Sequence, residues 1–249
     1  MIGGAVKVYW TEQTAADMPL DDDWLSEAEC ARLDAMPIAK RRADWRLGRW
    51  TAKSAVAHYL LLGVPRSFRR IELRPAPSGA PEVFLVNQPA PVSVSLSHRA
   101  GTAACAVAGP GVALGCDLEL IEPHSDAFIG DFFTVEEQAL LARASAAERN
   151  RLVALLWSAK ESALKTVRVG LRADTRSVAV SPADSLMYRS GTQIWRPLHL
   201  QFTGGQFAEG WWQDDGNLLR TLVAAPPPAA PIMLTMTSTL RSTEQTSTV

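Results

Sequence analysis

Short stretches that are either continuously apolar or alternate between apolar and polar residues recur along the chain and predict a protein with many short strands. Eight such stretches lie between turn-forming residues, as strands do. They cover residues 6–10, 71–73, 82–86, 92–96, 102–108, 112–120, 177–180 and the region around 198–202. Helical patterns lie between them, and this mixture of helices with mostly antiparallel strands is typical of the α+β class.

Two segments carry clear signals for the start of a helix. Ser145 and Thr134 are each followed three residues later by glutamate, which is the spacing of a capping box. From Ser145 we predict a helix that runs to about Val167, with Gly170 as its C-terminal stop.

Two helical segments 107 residues apart resemble each other, with Trp, Ala and Lys coinciding in residues 49–56 and 156–163. They predict a pseudodimer of two similar α/β halves, each with a long helix packed on a small, mostly antiparallel sheet, and a site between the halves. Chance similarity between two alanine-rich helices is the alternative. We place the halves at 1–108 and 109–224. We expect the Pro-, Ser- and Thr-rich tail at 225–249 to be disordered.

Composition excludes several classes of protein. Hydrophobic content of 47% and charged content of 20% are ordinary for a globular protein, and a net charge of −1 argues against a globally basic nucleic-acid binder. Cys30, Cys105 and Cys116 form no paired spacing, which fits a reducing compartment. The longest uncharged stretch, residues 100–116, is short for a membrane span. We therefore expect a cytoplasmic protein that binds neither nucleic acid nor a membrane.

Residues 40–74 form a locally basic region, with ten basic and two acidic residues. Arg46, Arg49 and Lys53 share one helical face. This face could grip a phosphate or dock an acidic partner protein, and a solvated basic face is the equal alternative. Nucleic acid is disfavoured because no aromatic residues are interleaved as a stacking platform.

Two carboxylates lie on the predicted strand 112–120. Asp117 and Glu119 are two residues apart, so both side chains leave the same face of the strand. Gly115 allows a neighbour to approach the backbone closely. Two carboxylates on one face make half of a site for Mg²⁺ or Ca²⁺, whereas a solvated polar face is the alternative.

Charged residues also lie beside the apolar arc of the second long helix, at Lys160, Glu161 and Lys165. Glu161 and Lys165 could be a surface pair that stabilises the helix by about 0.2–0.5 kcal/mol. Alternatively, Glu161 is a third metal ligand and the two lysines hold anionic oxygens, with Trp157 as a wall of the site. His98, near the end of a predicted strand, could be a base, a phosphate contact or a structural histidine; the last is the commonest case for a lone histidine.

Together, Gly115-x-Asp117-x-Glu119 and Trp157-x-x-Lys160-Glu161-x-x-x-Lys165 resemble the signature of the surfactin-type 4′-phosphopantetheinyl transferases. The resemblance spans roughly residues 42–171, and the chain length and the duplication also match this family. It extends to four further pairs, namely Gly48-Arg49, Ser97-His98, Phe132-Phe133 and Gly170-Leu171.

The resemblance implies transfer of the 4′-phosphopantetheine arm of coenzyme A to a serine of an apo acyl- or peptidyl-carrier protein, with release of adenosine 3′,5′-bisphosphate. It further implies Mg²⁺ as cofactor and a monomer. By position, the metal ligands would be Asp117, Glu119 and Glu161. The coenzyme A contacts would be Lys160, Lys165, Arg49 and His98, with Ser97 beside them. Either Glu161 or Lys165 would move the proton.

Three positions depart from the family pattern. Ala80 stands where the family often has Lys or Arg, Asp131 stands where a basic residue is frequent, and Cys116 replaces an aliphatic residue. Ala80 motivates the alternative of a catalytically impaired module that only binds coenzyme A or a carrier protein. A different metal-dependent phosphate enzyme is disfavoured because the sequence has no Walker loop or HD-type histidine pair.

Overall fold

Each half of the chain contains one long helix and one main antiparallel sheet. The computed structural model describes residues 4–62, 65–169, 172–181 and 194–234. The N-terminal elements are β1 (Val8–Thr14), α1 (Glu27–Asp34), α2 (Ala39–Tyr59), β2 (Ile71–Pro75), β3 (Pro81–Leu85), β4 (Gln88–Pro89), β5 (Ser93–Arg99) and β6 (Thr102–Ala108). The C-terminal elements are β7 (Ala113–Leu120), α3 (Asp126–Phe132), α4 (Val135–Arg143), α5 (Ala146–Thr166), β8 (Val178–Ser181), β9 (Arg196–Phe202), β10 (Phe207–Asp214), β11 (Leu218–Ala225) and β12 (Ile232–Met233).

The strands form two main sheets and one small one. Their orders are β12-β1-β6-β5, β7-β11-β10-β9-β8 and β2-β3-β4. Paired strands are antiparallel except for β1 with β12, which are parallel. Helix α2 packs on β6 and β1, and α5 packs on β7 and β11. The predicted α+β fold is therefore confirmed.

The duplication is also confirmed, and it extends beyond the two similar segments. Helices α2 and α5 are each 21 residues long and start 107 residues apart. The strand order β1-β6-β5 recurs as β7-β11-β10. A short helix with a capping box precedes each long helix, with Ser26 and Glu29 in the first half and Thr134 and Glu137 in the second. Chance similarity of two helices would not reproduce this order.

Each long helix is tied to its short neighbour by a buried ion pair. Lys53 of α2 and Lys160 of α5 have no exposed surface. Lys53 pairs with Glu29, and the Lys160 ammonium lies 2.9 Å from a carboxylate oxygen of Glu137. Each ammonium also donates to two backbone carbonyls. Both glutamates belong to the capping boxes, so one carboxylate caps the short helix and anchors the long one.

The two main sheets pack through an apolar layer between β1, β6, β7 and β11. Trp10, Leu118 and Leu222 lie in this layer, each with 1% of its surface exposed or less. At its margin, Arg220 of β11 makes two hydrogen bonds to Glu12 of β1, of 2.5 and 2.9 Å. The halves therefore share an apolar core as well as a cross-half ion pair.

The C-terminal tail differs from the expectation of disorder. Its first part pairs with β1: Ala229 donates to the Val6 carbonyl, Leu234 donates to the Trp10 carbonyl, and β12 adds two residues to the sheet edge. The strand pairing itself is made by backbone groups, so a proline-rich segment without apolar periodicity gives no sequence signal for it. Residues 235–249 lie outside the described part of the chain.

All eight predicted strands are present, with ends that shift by up to four residues. The predicted helix from Ser145 runs from Ala146 to Thr166, and its predicted stop at Gly170 lies outside the described residues. Strands β10 and β11 were not predicted, because β11 is buried on both faces and Gly210 interrupts the alternation of β10. Among the described helices, none is both long and apolar enough to cross a bilayer.

Candidate active site

A glycine on β7 brings α5 close to the strand that carries the predicted carboxylates. A Cβ atom on Gly115 would lie 1.8 Å from the carbonyl oxygen of Ser162, so any other residue would force the helix away. Asp117 and Glu119 leave the same face of β7 as Gly115. This close approach places them beside Glu161 and Lys165 of the helix.

The carboxylate of Asp117 is buried and held by one of its two oxygens. Its Oδ1 accepts hydrogen bonds from the Ser97 hydroxyl at 2.8 Å and the Lys165 ammonium at 2.9 Å. Its Oδ2 is buried and has no hydrogen-bond partner among the described residues. A buried carboxylate oxygen without a donor is costly, and a cation is the natural partner for it.

The charge of Asp117 opposes the ionisation of both neighbouring glutamates. Burial and the charges of Asp117 and Glu119 raise the pKa of Glu161 to about 7, and the charge of Lys165 opposes this shift. Burial and Asp117 likewise raise the pKa of Glu119, although Arg99 and the Trp157 hydrogen bond oppose this shift. With all three carboxylates ionised, the cluster would carry one negative charge more than its neighbours Arg99 and Lys165 neutralise.

Glu119 is itself held in a specific orientation. One of its oxygens accepts a hydrogen bond of 3.1 Å from the Trp157 indole, and the other lies 3.2 Å from Nε of Arg99. Trp157 thus does more than wall the site, because it orients a carboxylate. Within the described ranges, no three His, Cys, Asp or Glu residues converge as a ready metal-binding group.

Lys165 links the carboxylates to the backbone of the junction between the halves. Its ammonium donates to the carbonyl of Cys116 at 2.8 Å, and the carbonyl of Leu96 lies at 3.5 Å. Burial alone would lower the pKa of Lys165, but the neighbouring charges, that of Asp117 first, and the hydrogen bond to Asp117 together outweigh burial, so the pKa is raised. Lys165 therefore stays a cation, and its side chain also lines the neighbouring cavity.

That cavity lies between the halves and has a volume of about 900 Å³. Its lining combines apolar segments of β3, β5 and β7 with strongly basic residues. One lining residue, Glu82, is acidic, against six basic ones: Arg32, Arg49, Arg74, Lys165, Arg168 and Arg172. Such a lining suits a ligand with several anionic groups and an uncharged portion. Ala80 lines it as well.

Some of the predicted coenzyme A contacts line this cavity and others lie elsewhere in the structure. Arg49 and Lys165 line the cavity, and Arg49 also lies 3.9 Å from Glu29. Ser97 and His98 are not among the described residues that line the cavity. Ser97 binds Asp117 instead, and His98 is an exposed residue of β5.

Lys160 does not have the predicted role of a coenzyme A contact in this structure. Its ammonium is fully buried, pairs with Glu137 and donates to the carbonyls of Thr175 and Val178. Burial lowers its pKa, which the charge of Glu137 opposes. An ammonium enclosed by three internal oxygens has no free path to a ligand, so Lys160 holds the fold together.

The predicted basic face of α2 is also used inside the protein. Arg46 lies 2.7 Å from Asp22, and Lys53 is buried with Glu29, which also lies near Arg49. These three side chains therefore do not form a free docking face. The hypothesis that this face grips an acidic partner is wrong for Lys53, whose ammonium has no exposed surface.

Several residues of the site were missed from the sequence. Arg74, Arg168 and Arg172 line the cavity, and the last two follow Lys165 at three and seven residues, a spacing that could have flagged them. The bond between Ser97 and Asp117 joins residues 20 apart on different strands. No local pattern could have indicated that contact.

Comparison with known proteins agrees with the duplicated fold. The model of the 4′-phosphopantetheinyl transferase superfamily matches the chain twice, at residues 11–108 and 113–209. No curated protein sequence matches. The holo-[acyl-carrier-protein] synthase (AcpS) of Helicobacter pylori, solved in complex with coenzyme A, is 21% identical over 41% of this chain and 98% of its own, with a TM-score of 0.32. Because the two family matches cover most of the chain, the protein belongs to the 4′-phosphopantetheinyl transferase superfamily.

Proposed function

We propose that this protein is a Mg²⁺-dependent transferase of the surfactin type. It moves the 4′-phosphopantetheine arm of coenzyme A to a serine of an apo acyl- or peptidyl-carrier protein and so acts as a holo-carrier-protein synthase. One observation carries the proposal: Lys165 belongs both to the basic cavity and to the carboxylate cluster around Asp117. An anionic ligand in the cavity would thus have its phosphates beside the carboxylates.

The donor chemistry of the residues present fits a divalent cation, and a bound ion would draw together three carboxylates that do not converge in the described structure. The free Oδ2 of Asp117, together with the crowded carboxylates of Glu119 and Glu161, offers the hard oxygen donors that Mg²⁺ prefers. We assign these three residues as its ligands. When bound, Mg²⁺ supplies charge neutralisation at the pyrophosphate of coenzyme A.

The basic lining supports coenzyme A as the substrate. Coenzyme A combines three phosphate groups with a long uncharged arm, and the cavity combines six basic residues with apolar walls. We assign Arg49 and Lys165 as contacts to its phosphates, on opposite sides of the junction between the halves. Binding in this cleft holds the substrate for in-line attack by the carrier serine.

The reaction forms one bond and breaks one. The serine oxygen attacks the phosphorus that carries the pantetheine arm, and the bond from that phosphorus to adenosine 3′,5′-bisphosphate breaks. We assign the serine proton to Glu161. Lys165 is less suited, because its ammonium already faces Asp117 and the carbonyls of Cys116 and Leu96.

A binding module without catalysis is the alternative, and Ala80 is the observation that favours it. Ala80 lines the cavity at a position where the resemblance implies a basic side chain. The retained cluster of Asp117, Glu119 and Glu161 favours the enzyme, because binding alone does not need three crowded carboxylates.

Mass spectrometry of the carrier protein tests the proposal. Incubation with Mg²⁺, coenzyme A and an apo carrier should add about 340 Da, the mass of the transferred group. Asp117→Ala should remove this shift, whereas Asp126→Asn, at an exposed carboxylate of α3, should keep it. Coenzyme A binding without a mass shift on any of several acyl and peptidyl carriers would establish the binding module instead.

A further inference from the structure

Two serines of β5 accept hydrogen bonds from backbone amides at the open edge of β7. The amide of Cys116 donates to the Ser95 hydroxyl at 2.9 Å, and the amide of Leu118 donates to the Ser97 hydroxyl at 3.2 Å. Because β7 is an edge strand of its sheet, these amides have no strand partner on that side. Side-chain hydroxyls of one half therefore complete the backbone hydrogen bonding of the other.

Ser97 has a second contact that gives it a different role from Ser95. A serine hydroxyl has one proton to donate, and its acceptor side is used here by the Leu118 amide. The proton is directed to Oδ1 of Asp117, at 2.8 Å. Lys165 donates to the same oxygen, so two donors hold Oδ1 and leave Oδ2 free.

We propose that Ser97 is a positioning residue for Asp117. By fixing Oδ1 of Asp117, Ser97 turns Oδ2 towards the proposed metal position. A residue of the N-terminal half therefore sets the metal affinity of a site whose ligands all lie in the C-terminal half. The proposal rests on the metal assignment of the proposed function. It replaces the expectation that Ser97 lies beside coenzyme A.

The paired serines supply a matched control. Ser95→Ala and Ser97→Ala each remove one hydroxyl that accepts from a β7 amide, but only Ser97→Ala also removes a donor to Asp117. Ser97→Thr keeps the hydroxyl, and Ser97→Val has the shape of threonine without it. The Thr and Val variants give the same comparison if Ser97→Ala does not fold.

Titration with Mn²⁺, followed by electron paramagnetic resonance of the free ion, tests the proposal. Removing a group that orients a metal ligand weakens metal affinity by about 10- to 100-fold, so we expect at least about tenfold for Ser97→Ala and Ser97→Val. Ser97→Thr should stay within about twofold of the parent protein. Ser95→Ala should lose stability towards urea, as Ser97→Ala does, but keep its Mn²⁺ affinity.

Two results would overturn the positioning role. Equal weakening by Ser95→Ala and Ser97→Ala would show that general packing of the junction is responsible. Unchanged Mn²⁺ affinity in Ser97→Ala together with a raised KM for coenzyme A would show a substrate contact instead.

The titration separates this inference from the proposed function, because it needs neither coenzyme A nor a carrier. Mn²⁺ binding that depends on Asp117 and Ser97, in a protein that transfers nothing, would leave the positioning role intact and overturn the transferase. A parent protein that binds no Mn²⁺, or binds it equally well after Asp117→Ala, would overturn both.

Discussion

The two halves share one arrangement of helices and strands and differ in the charged side chains that it carries. A buried Lys–Glu ion pair occurs in both halves, as Lys53 with Glu29 and Lys160 with Glu137. The carboxylate cluster occurs only in the C-terminal half. At the 107-residue offset between the halves, Glu161 corresponds to the uncharged Ser54. In this duplicated fold, the repeated charges hold the structure, and the unrepeated ones form the candidate site.

The strands show the same difference. Tyr9 contacts Tyr59 of α2, so the residues alternating with it on β1, Thr11 and Gln13, face that helix. The equivalent face of β7 carries Asp117 and Glu119. Uncharged residues on one copy and carboxylates on the other support the assignment of the proposed metal site to the C-terminal half alone.

The largest expected effect comes from removing the central carboxylate. Asp117→Ala should lower the rate of transfer by about a thousandfold or more, because it removes the best-placed donor for the cation. Thr11→Ala, at a buried residue on the helix-facing side of β1, should leave the rate within about twofold. Rates are measured by mass spectrometry of the carrier protein. Similar losses in both variants would contradict the assignment of the site to one half.

The two buried lysines, Lys53 and Lys160, should respond alike to substitution. Lys53→Met and Lys160→Met each leave a buried glutamate without its partner, so each should lower the free energy of unfolding by about 3–5 kcal/mol. Urea denaturation measures this loss. The two variants should keep the KM for coenzyme A under conditions where they are folded. A raised KM for Lys160→Met alone would restore Lys160 as a substrate contact.

Gly115 should prove intolerant of a side chain, unlike a glycine of the first half. Gly115→Ala places a Cβ atom 1.8 Å from the Ser162 carbonyl, so α5 must shift and we expect a loss of about 1–3 kcal/mol in unfolding free energy. Gly48→Ala in α2 meets nothing within 4 Å and should stabilise the helix by up to about 1 kcal/mol. Thermal denaturation distinguishes the two. A neutral Gly115→Ala would mean that the close approach is not required.

The smallest expected effect concerns the cavity that the halves share. Ala80→Lys adds a cation to its wall and should lower the KM for coenzyme A by about two- to fivefold, with a steeper dependence on salt. Ala43→Lys, at an exposed position of α2 outside the wall, should change neither. An unchanged KM in Ala80→Lys would show that position 80 does not face the anionic part of the ligand.

The sequence was informative wherever a local pattern determines structure. The capping boxes, the strand patterns and the 107-residue repeat predicted α2, α4 and α5, most strands and the duplication. Lys160 shows the limit: it lies one residue from Glu161, and only the packing of α4 against α5 decides that its ammonium is enclosed. Ser97 shows the same limit across the junction, because its bond to Asp117 depends on how two separate sheets meet.

Strand β12 has a consequence for the behaviour of the protein at high concentration. An uncovered strand edge can pair with another chain and start aggregation. Residues 228–234 cover the outer edge of β1, and β12 is only two residues long, so it offers little backbone to a further strand. The proline-rich segment thus covers an edge of the first sheet, and removing it should increase self-association at high concentration.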